Sequence, residues 1–103
     1  MYKLEYLKIA KLDLNEIITY INDNLKNPTA AKEFIKTFIK DANNIIKFPY
    51  SNPEYITNKK LNNKYRISSI KNFLIFYTID EKEKNITISR VLYKKREIDK
   101  FLK

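Results

Sequence analysis

The chain has 103 residues, 44% of them hydrophobic, enough for one domain around one core and too few for a multidomain enzyme. It contains no Gly, Cys or His, so phosphate-cradling glycine loops, thiol nucleophiles, Cys/His zinc sites and imidazole bases are all unavailable. Lys and Arg number 21 against 12 Asp and Glu, and the net charge of +9 favours a polyanion or an acidic protein as partner.

The basic excess is uneven. Residues 1–50 carry 8 Lys and 6 acids, net +2, whereas residues 51–103 carry 10 Lys, 3 Arg and 6 acids, net +7. Against 18 Lys, the three Arg stand out: Arg66, Arg90 and Arg96. A guanidinium grips phosphate or carboxylate through two parallel hydrogen bonds, which an ammonium cannot do. The longest apolar run, residues 73–77, falls far short of the roughly 18 residues of a spanning helix. The first residues also lack an apolar signal core, so a soluble, cytoplasmic single domain over residues 1–103 is expected, without membrane, metal or cofactor.

Tyr2, Leu4 and Tyr6 alternate with polar residues and predict a short first strand. From Leu14 the apolar positions Ile17, Ile18, Ile21 and Leu25 follow helical spacing; the helix starts either at a cap of Asp13 and Glu16 or a turn earlier. Asn27 and Pro28 predict the start of a second helix, whose stripe of Ala31, Phe34, Ile35, Phe38, Ile39, Ala42, Ile45 and Ile46 runs to a stop at Phe48 and Pro49. The short link makes the two helices an antiparallel pair. Lys32, Lys36 and Lys40 line the outer face of the second helix, a rail for nucleic acid or a solvated face; with Glu33 and Asp41 interrupting them, the solvated face is the expectation. Residues 49–64 have no period and read as a long exposed loop, pinned by Tyr50, Tyr55 and Ile56.

Beyond residue 65 the period becomes two. A strand carries Tyr65, Ile67 and Ser69, Lys71 and Asn72 make a turn, and residues 73–79 are apolar on both parities, as a central strand covered on both faces would be. A charged turn over residues 80–85 leads to a last strand over 86–93, and Ile98, Phe101 and Leu102 are expected to dock a short C-terminal helical turn. The expected fold is α+β: an N-terminal strand and an antiparallel helix hairpin packed on an antiparallel β-sheet.

Arg90 falls on the same parity as Ile86, Ile88 and Leu92. An unpaired buried guanidinium is costly, so either a carboxylate satisfies it or it faces an anion-binding groove, and the groove is the expectation here. Tyr93, Lys94, Lys95 and Arg96 then follow in succession, with Lys64 and Arg66 on the same sheet and Lys71 at its turn. Cations that track phosphates beside a ring that stacks a base describe a nucleic-acid surface. Metal-free RNA cleavage needs a base for the 2′-hydroxyl, a phosphate clamp and an acid for the leaving oxygen. Tyr93 with Arg66, Arg90 and Arg96 are the candidates for those tasks, and Lys64, Lys71, Lys94 and Lys95 for holding the strand.

The order Ala10-Lys11-Leu12-Asp13-Leu14-Asn15-Glu16-Ile17, Asn27-Pro28, Phe48-Pro49, Tyr65-Arg66, Asn72-Phe73-Leu74-Ile75-Phe76-Tyr77 and Ser89-Arg90-Val91-Leu92-Tyr93-Lys94-Lys95-Arg96-Glu97 resembles the RelE/ParE family of bacterial type II toxins over nearly the whole chain. The resemblance implies a cognate antitoxin, acidic and partly disordered, that covers the basic surface. It also implies one of two targets, since RelE-like members cut mRNA on the ribosome and ParE-like members inhibit DNA gyrase. RelE-like nucleases commonly carry an Arg in the central strand where this chain has Leu74, and a catalytic Tyr near Phe101 or Leu102. The concentrated charge and three Arg tip the sequence reading narrowly to a metal-independent, ribosome-associated mRNA endoribonuclease. A gyrase poison without nuclease activity and a non-toxic basic RNA-binding domain are the alternatives.

Overall fold

The computed structural model describes residues 1–102. The alternating N-terminus forms β1 (Lys3–Tyr6), and Leu7, still extended at ψ 149°, donates its N–H to Ile88 O at 2.9 Å before the chain coils. Helix α1 (Lys8–Thr19) therefore takes the earlier of the two expected starts, more than a turn ahead of Asp13. The Leu7 carbonyl accepts the Ala10 and Lys11 N–H groups, and Ala10, with no exposed surface, seats the first turn against the sheet. Asp13 is thus interior to the helix rather than its cap, and its carboxylate is available elsewhere. A π-helical turn over Tyr20–Asn24 and a left-handed Lys26 (φ 49°) close the hairpin.

Helix α2 (Pro28–Lys47) follows the expected signals. The Asn27 side chain accepts the Ala30 N–H at 3.0 Å, Pro28 occupies the first turn, and the helix ends at Phe48 before Pro49. Its inward stripe of Ala31, Phe34, Phe38, Ala42 and Ile45 is buried.

The meander β2 (Arg66–Ile70), β3 (Phe73–Asp80) and β4 (Asn85–Tyr93) is antiparallel as expected. The sheet order is β1-β4-β3-β2, and β1 joins β4 in parallel, Lys3 opposite Asn85 through Tyr6 opposite Ile88. The sheet is thus mixed, because the helix hairpin and meander return β4 along β1 in the same direction. Pairing jumps from Phe76 opposite Arg90 to Tyr77 opposite Ile88, which leaves Ser89 as the extra residue of a bulge. After that one-residue slip, Val91 joins Ile86 and Ile88 in the helix-side core, and Leu92 packs in the other core. The parity that put Arg90 in one row with Ile86 and Ile88 is broken there.

The helices cover one face of the sheet, around Ile75, Tyr77, Ile86, Ile88 and Val91. The other face holds a second cluster of Tyr65, Phe76, Leu92 and Leu102, and its cover is the loop over residues 49–64 together with the C-terminal turn (Ile98–Lys100). The loop is tied down by backbone bonds from Tyr55 N–H to Tyr65 O and from Ile67 N–H to Pro53 O. Tyr55 packs edge-on to Phe76, and its hydroxyl, with that of Thr57, donates to Asp99 of the C-terminal turn. Those two bonds hold the Asp99 carboxyl below its ordinary range. Ile56 was expected to pin the loop, yet it is 90% exposed. The backbone ladder and the Tyr55 ring fix the loop instead.

Candidate functional site

Between the helix hairpin and the ends of the β2–β3 turn and β4 lies an open cleft of about 790 Å³. Ile17, Ile21 and Leu25 form its helical wall, and Phe34, Phe73 and Leu92 its apolar floor. Lys71, Tyr93 and Arg96 line its sheet side. Lys71 occupies a left-handed turn position (φ 50°), and the Asn72 carbonyl accepts the Lys94 N–H at 2.9 Å, which clips the chain after β4 to that turn. Arg96 donates its N–H to Tyr93 O at 3.0 Å, and its guanidinium carbon lies 5.1 Å from the Phe101 ring centroid. The Tyr93 ring rests 5.7 Å from that of Phe73.

The other proposed residues lie apart. Lys94 and Lys95 are exposed just beyond the cleft and do not line it. Lys64 borders a separate, shallower hollow of about 340 Å³ under the loop. Arg66 donates from Nη1 to the carbonyls of Tyr50 (3.3 Å) and Asn52 (2.6 Å), and its guanidinium sits 5.0 Å from the Tyr50 ring centroid. It holds the loop in place.

Arg90 corrects the groove expectation. Its Nε and Nη2 donate to Asp13 Oδ2 and Oδ1 at 2.8 and 2.9 Å, and Nη1 donates to Phe101 O at 3.2 Å. The same carboxylate accepts the Val91 N–H at 3.0 Å. β1 leaves the sheet at Tyr6, so the edge of β4 beyond Ile88 would be bare, and Asp13 of α1 supplies the acceptor that a longer β1 would have given. Side-chain exposures of 14% and 11% mark the pair as largely desolvated, the setting in which a bidentate geometry is needed to offset the loss of water.

The stripe of Ile17, Ile21 and Leu25 was legible in the sequence, but its part in a cleft was not, nor was that of the polar residues beside it. Asp13, Glu16 and Tyr20 follow helical spacing along one flank of α1 and its extension, which a capping role for Asp13 and Glu16 hid. Among the described residues no three Asp, Glu, His or Cys side chains gather to hold a metal, and no helix is long and apolar enough to cross a membrane.

The loop that Arg66 holds is also fixed from the opposite side. Glu81 accepts the hydroxyls of Tyr2 and Tyr50 at 2.7 and 2.6 Å and pairs with Lys84. The Lys84 ammonium and the two phenols pull the Glu81 carboxyl down to about 2, and the bond to Glu81 pushes the Tyr50 phenol up to about 12. A carboxyl whose folded pKa is depressed gives stability that is present above its ordinary pKa and lost as pH falls through the folded value. Acid titration should therefore erode this clamp from about pH 4.5 to about 2, and Glu81→Gln should flatten that part of the stability curve. Urea midpoints measured across that range would check it; curves of equal slope for the two proteins would refute it.

Comparisons with known proteins agree with this architecture. The fold is similar to a toxin chain of the chromosomal ParDE toxin-antitoxin system from P. aeruginosa, with a TM-score of 0.70 and 16% identity over 90% of this chain and 96% of that one. It is also similar to a metal-bound toxin from Helicobacter pylori, with a TM-score of 0.65 and 18% identity over 90% and 94% of the two chains. No curated protein matches the sequence. The family model for the ParE toxin of the type II toxin-antitoxin system parDE matches residues 4–98, from β1 into the C-terminal turn, and the chain belongs to that family.

Proposed function

We propose that this ParE-family toxin arrests growth by binding DNA gyrase, without nuclease chemistry. The carrying observation is the engagement of Arg90 and Arg66: the first is locked to Asp13, and the second to the Tyr50 and Asn52 carbonyls. Two of the three guanidinium groups that a phosphate clamp would need are thereby tied to the fold. Leu74 adds no cation in the central strand. The family match supports the same reading and leaves a plain RNA-binding domain without support.

Membership in a toxin-antitoxin family implies a cognate antitoxin. Its neutralising segment is acidic and disordered until bound. It seats apolar side chains on the Phe34, Phe73 and Leu92 floor and carboxylates against Lys71 and Arg96.

One observation favours the endoribonuclease as a second reading: Lys71, Tyr93 and Arg96 do converge on a single cleft. A supercoiling assay with purified gyrase, run beside primer extension on a reporter mRNA after brief induction, separates the two. Lost supercoiling with accumulated DNA breaks and intact mRNA is expected. New cuts inside translated codons, abolished by Arg96→Ala or Tyr93→Phe, would overturn the gyrase reading.

A further inference from the structure

The lysine row on α2 carries less acidic compensation than its sequence suggests. Asp41 accepts a hydrogen bond from Ser68 of β2, so its charge is directed toward the sheet. Glu33 remains as the one exposed acid on the helix, at the margin of the row. Lys32, Lys36, Lys40 and Lys47 are all exposed, and none takes part in an ion pair among the described residues. Lys84 and Lys100, in contrast, are paired with Glu81 and Glu97, and Lys59 bonds the carbonyls of Asp99 and Leu102. Like charges four apart on a helix repel. This row therefore works against α2, and none of the three ion pairs among the described residues relieves it.

At 3.6 residues per turn the four lysines fall in an arc of about 80°, on the side of α2 opposite the buried Phe38 and Ala42. Lys32 and Lys47 stand ~22 Å apart along the axis at a rise of 1.5 Å per residue, the length of six or seven phosphates on one strand of a duplex at about 3.4 Å each. Within the arc lies Asn43, a neutral donor that suits phosphate oxygens, and Ile39, 54% exposed, borders it. No aromatic side chain lies on this arc to stack an unpaired base, which favours a duplex over a single strand. A helix of 20 residues is also a rigid rail, suited to a stiff partner. The cleft uses Ala30 and Phe34, on another side of α2, so both surfaces are open at once.

We propose that the outer face of α2 is a sequence-independent binding surface for the phosphate backbone of duplex DNA, with Lys32, Lys36, Lys40 and Lys47 as its contacts. The proposal does not depend on the gyrase reading, because naked DNA tests it. Fluorescence anisotropy of the full chain with a labelled 20-base-pair duplex of arbitrary sequence, taken through a salt series, gives the slope of log K against log salt. Each phosphate contact contributes about −0.9 to that slope. The quadruple variant Lys32→Gln/Lys36→Gln/Lys40→Gln/Lys47→Gln should flatten it by about 3 to 4. A control with the same charge change placed elsewhere on exposed lysines, Lys8→Gln/Lys11→Gln/Lys60→Gln/Lys82→Gln, should keep most of the wild-type slope. Equal losses in the two variants would show only an effect of net charge and would overturn the proposal. So would an unchanged slope in the α2 variant, or tighter binding to single-stranded RNA of equal charge or to phosphatidylserine vesicles than to the duplex.

Discussion

Asp13→Ala is expected to cost about 3 kcal/mol of stability, at the lower end for a buried ion pair that loses one partner. The change strands a guanidinium of 14% side-chain exposure and also removes the acceptor for the Val91 N–H. For a domain of this size that corresponds to a fall of roughly 12 to 24 °C in melting temperature. The decisive comparison is the double variant Asp13→Leu/Arg90→Met. Replacing both ends of a buried pair by apolar groups is often neutral, so most of the loss should return. Thermal melts of the three proteins check this; an Asp13→Ala melt within 3 °C of wild type would mean that the pair is solvated and free to bind anions, as the sequence reading expected.

Phe76→Ala is expected to cost about 3 to 5 kcal/mol and to act unevenly across the molecule. The Phe76 ring has no exposed surface and receives the edges of Tyr55 and Tyr65 at 5.4 and 6.3 Å. It is the platform on which the loop over residues 49–64 rests. Its loss should expose that loop to trypsin at Lys59 and Lys60 under conditions where the helix-side core is still folded. Urea denaturation combined with limited proteolysis measures both effects. A loop that stays resistant, or a cost below 1 kcal/mol, would show that the backbone bonds and the Arg66, Glu81 and Asp99 contacts hold it without the ring.

The element order was legible because hydrophobic period and end signals agree in α2, β3 and β4. Asn27 and Pro28 at the start of α2 have local causes that one sequence can express. The partner of β1 has no local cause: alternation of Tyr2, Leu4 and Tyr6 says that a strand exists and nothing about which neighbour runs beside it. The bulge at Ser89 is equally silent, since one extra residue changes the facing of Arg90 without changing composition or apparent period. The double-sided burial of β3 was readable from its apolar letters. Its outer cover was not, because residues 49–64 are held by ladder bonds, the Tyr55 ring and scattered polar anchors from Arg66, Glu81 and Asp99 rather than by a repeating stripe.

The site was legible as a set of residue types and only in part as a place. Tyr93, Arg96 and Lys71 meet because the chain after β4 is clipped to the β2–β3 turn through Asn72. Arg66 and Arg90 drew notice as rare guanidiniums, and the geometry that sets them apart serves loop carbonyls and Asp13 instead of a ligand.

Three lysines, Lys26, Lys71 and Lys84, hold left-handed backbone at φ 49°, 50° and 51°, where glycine is the usual occupant. Each such residue with a Cβ costs about 1 to 2 kcal/mol in the folded chain. A glycine in its place would relieve that strain while widening the denatured ensemble, a loss of about 0.4 to 1 kcal/mol at each site. The two effects partly offset one another, leaving about 0 to 1.6 kcal/mol at each turn, so a chain without a single glycine turns these three corners at less than the strain alone would cost.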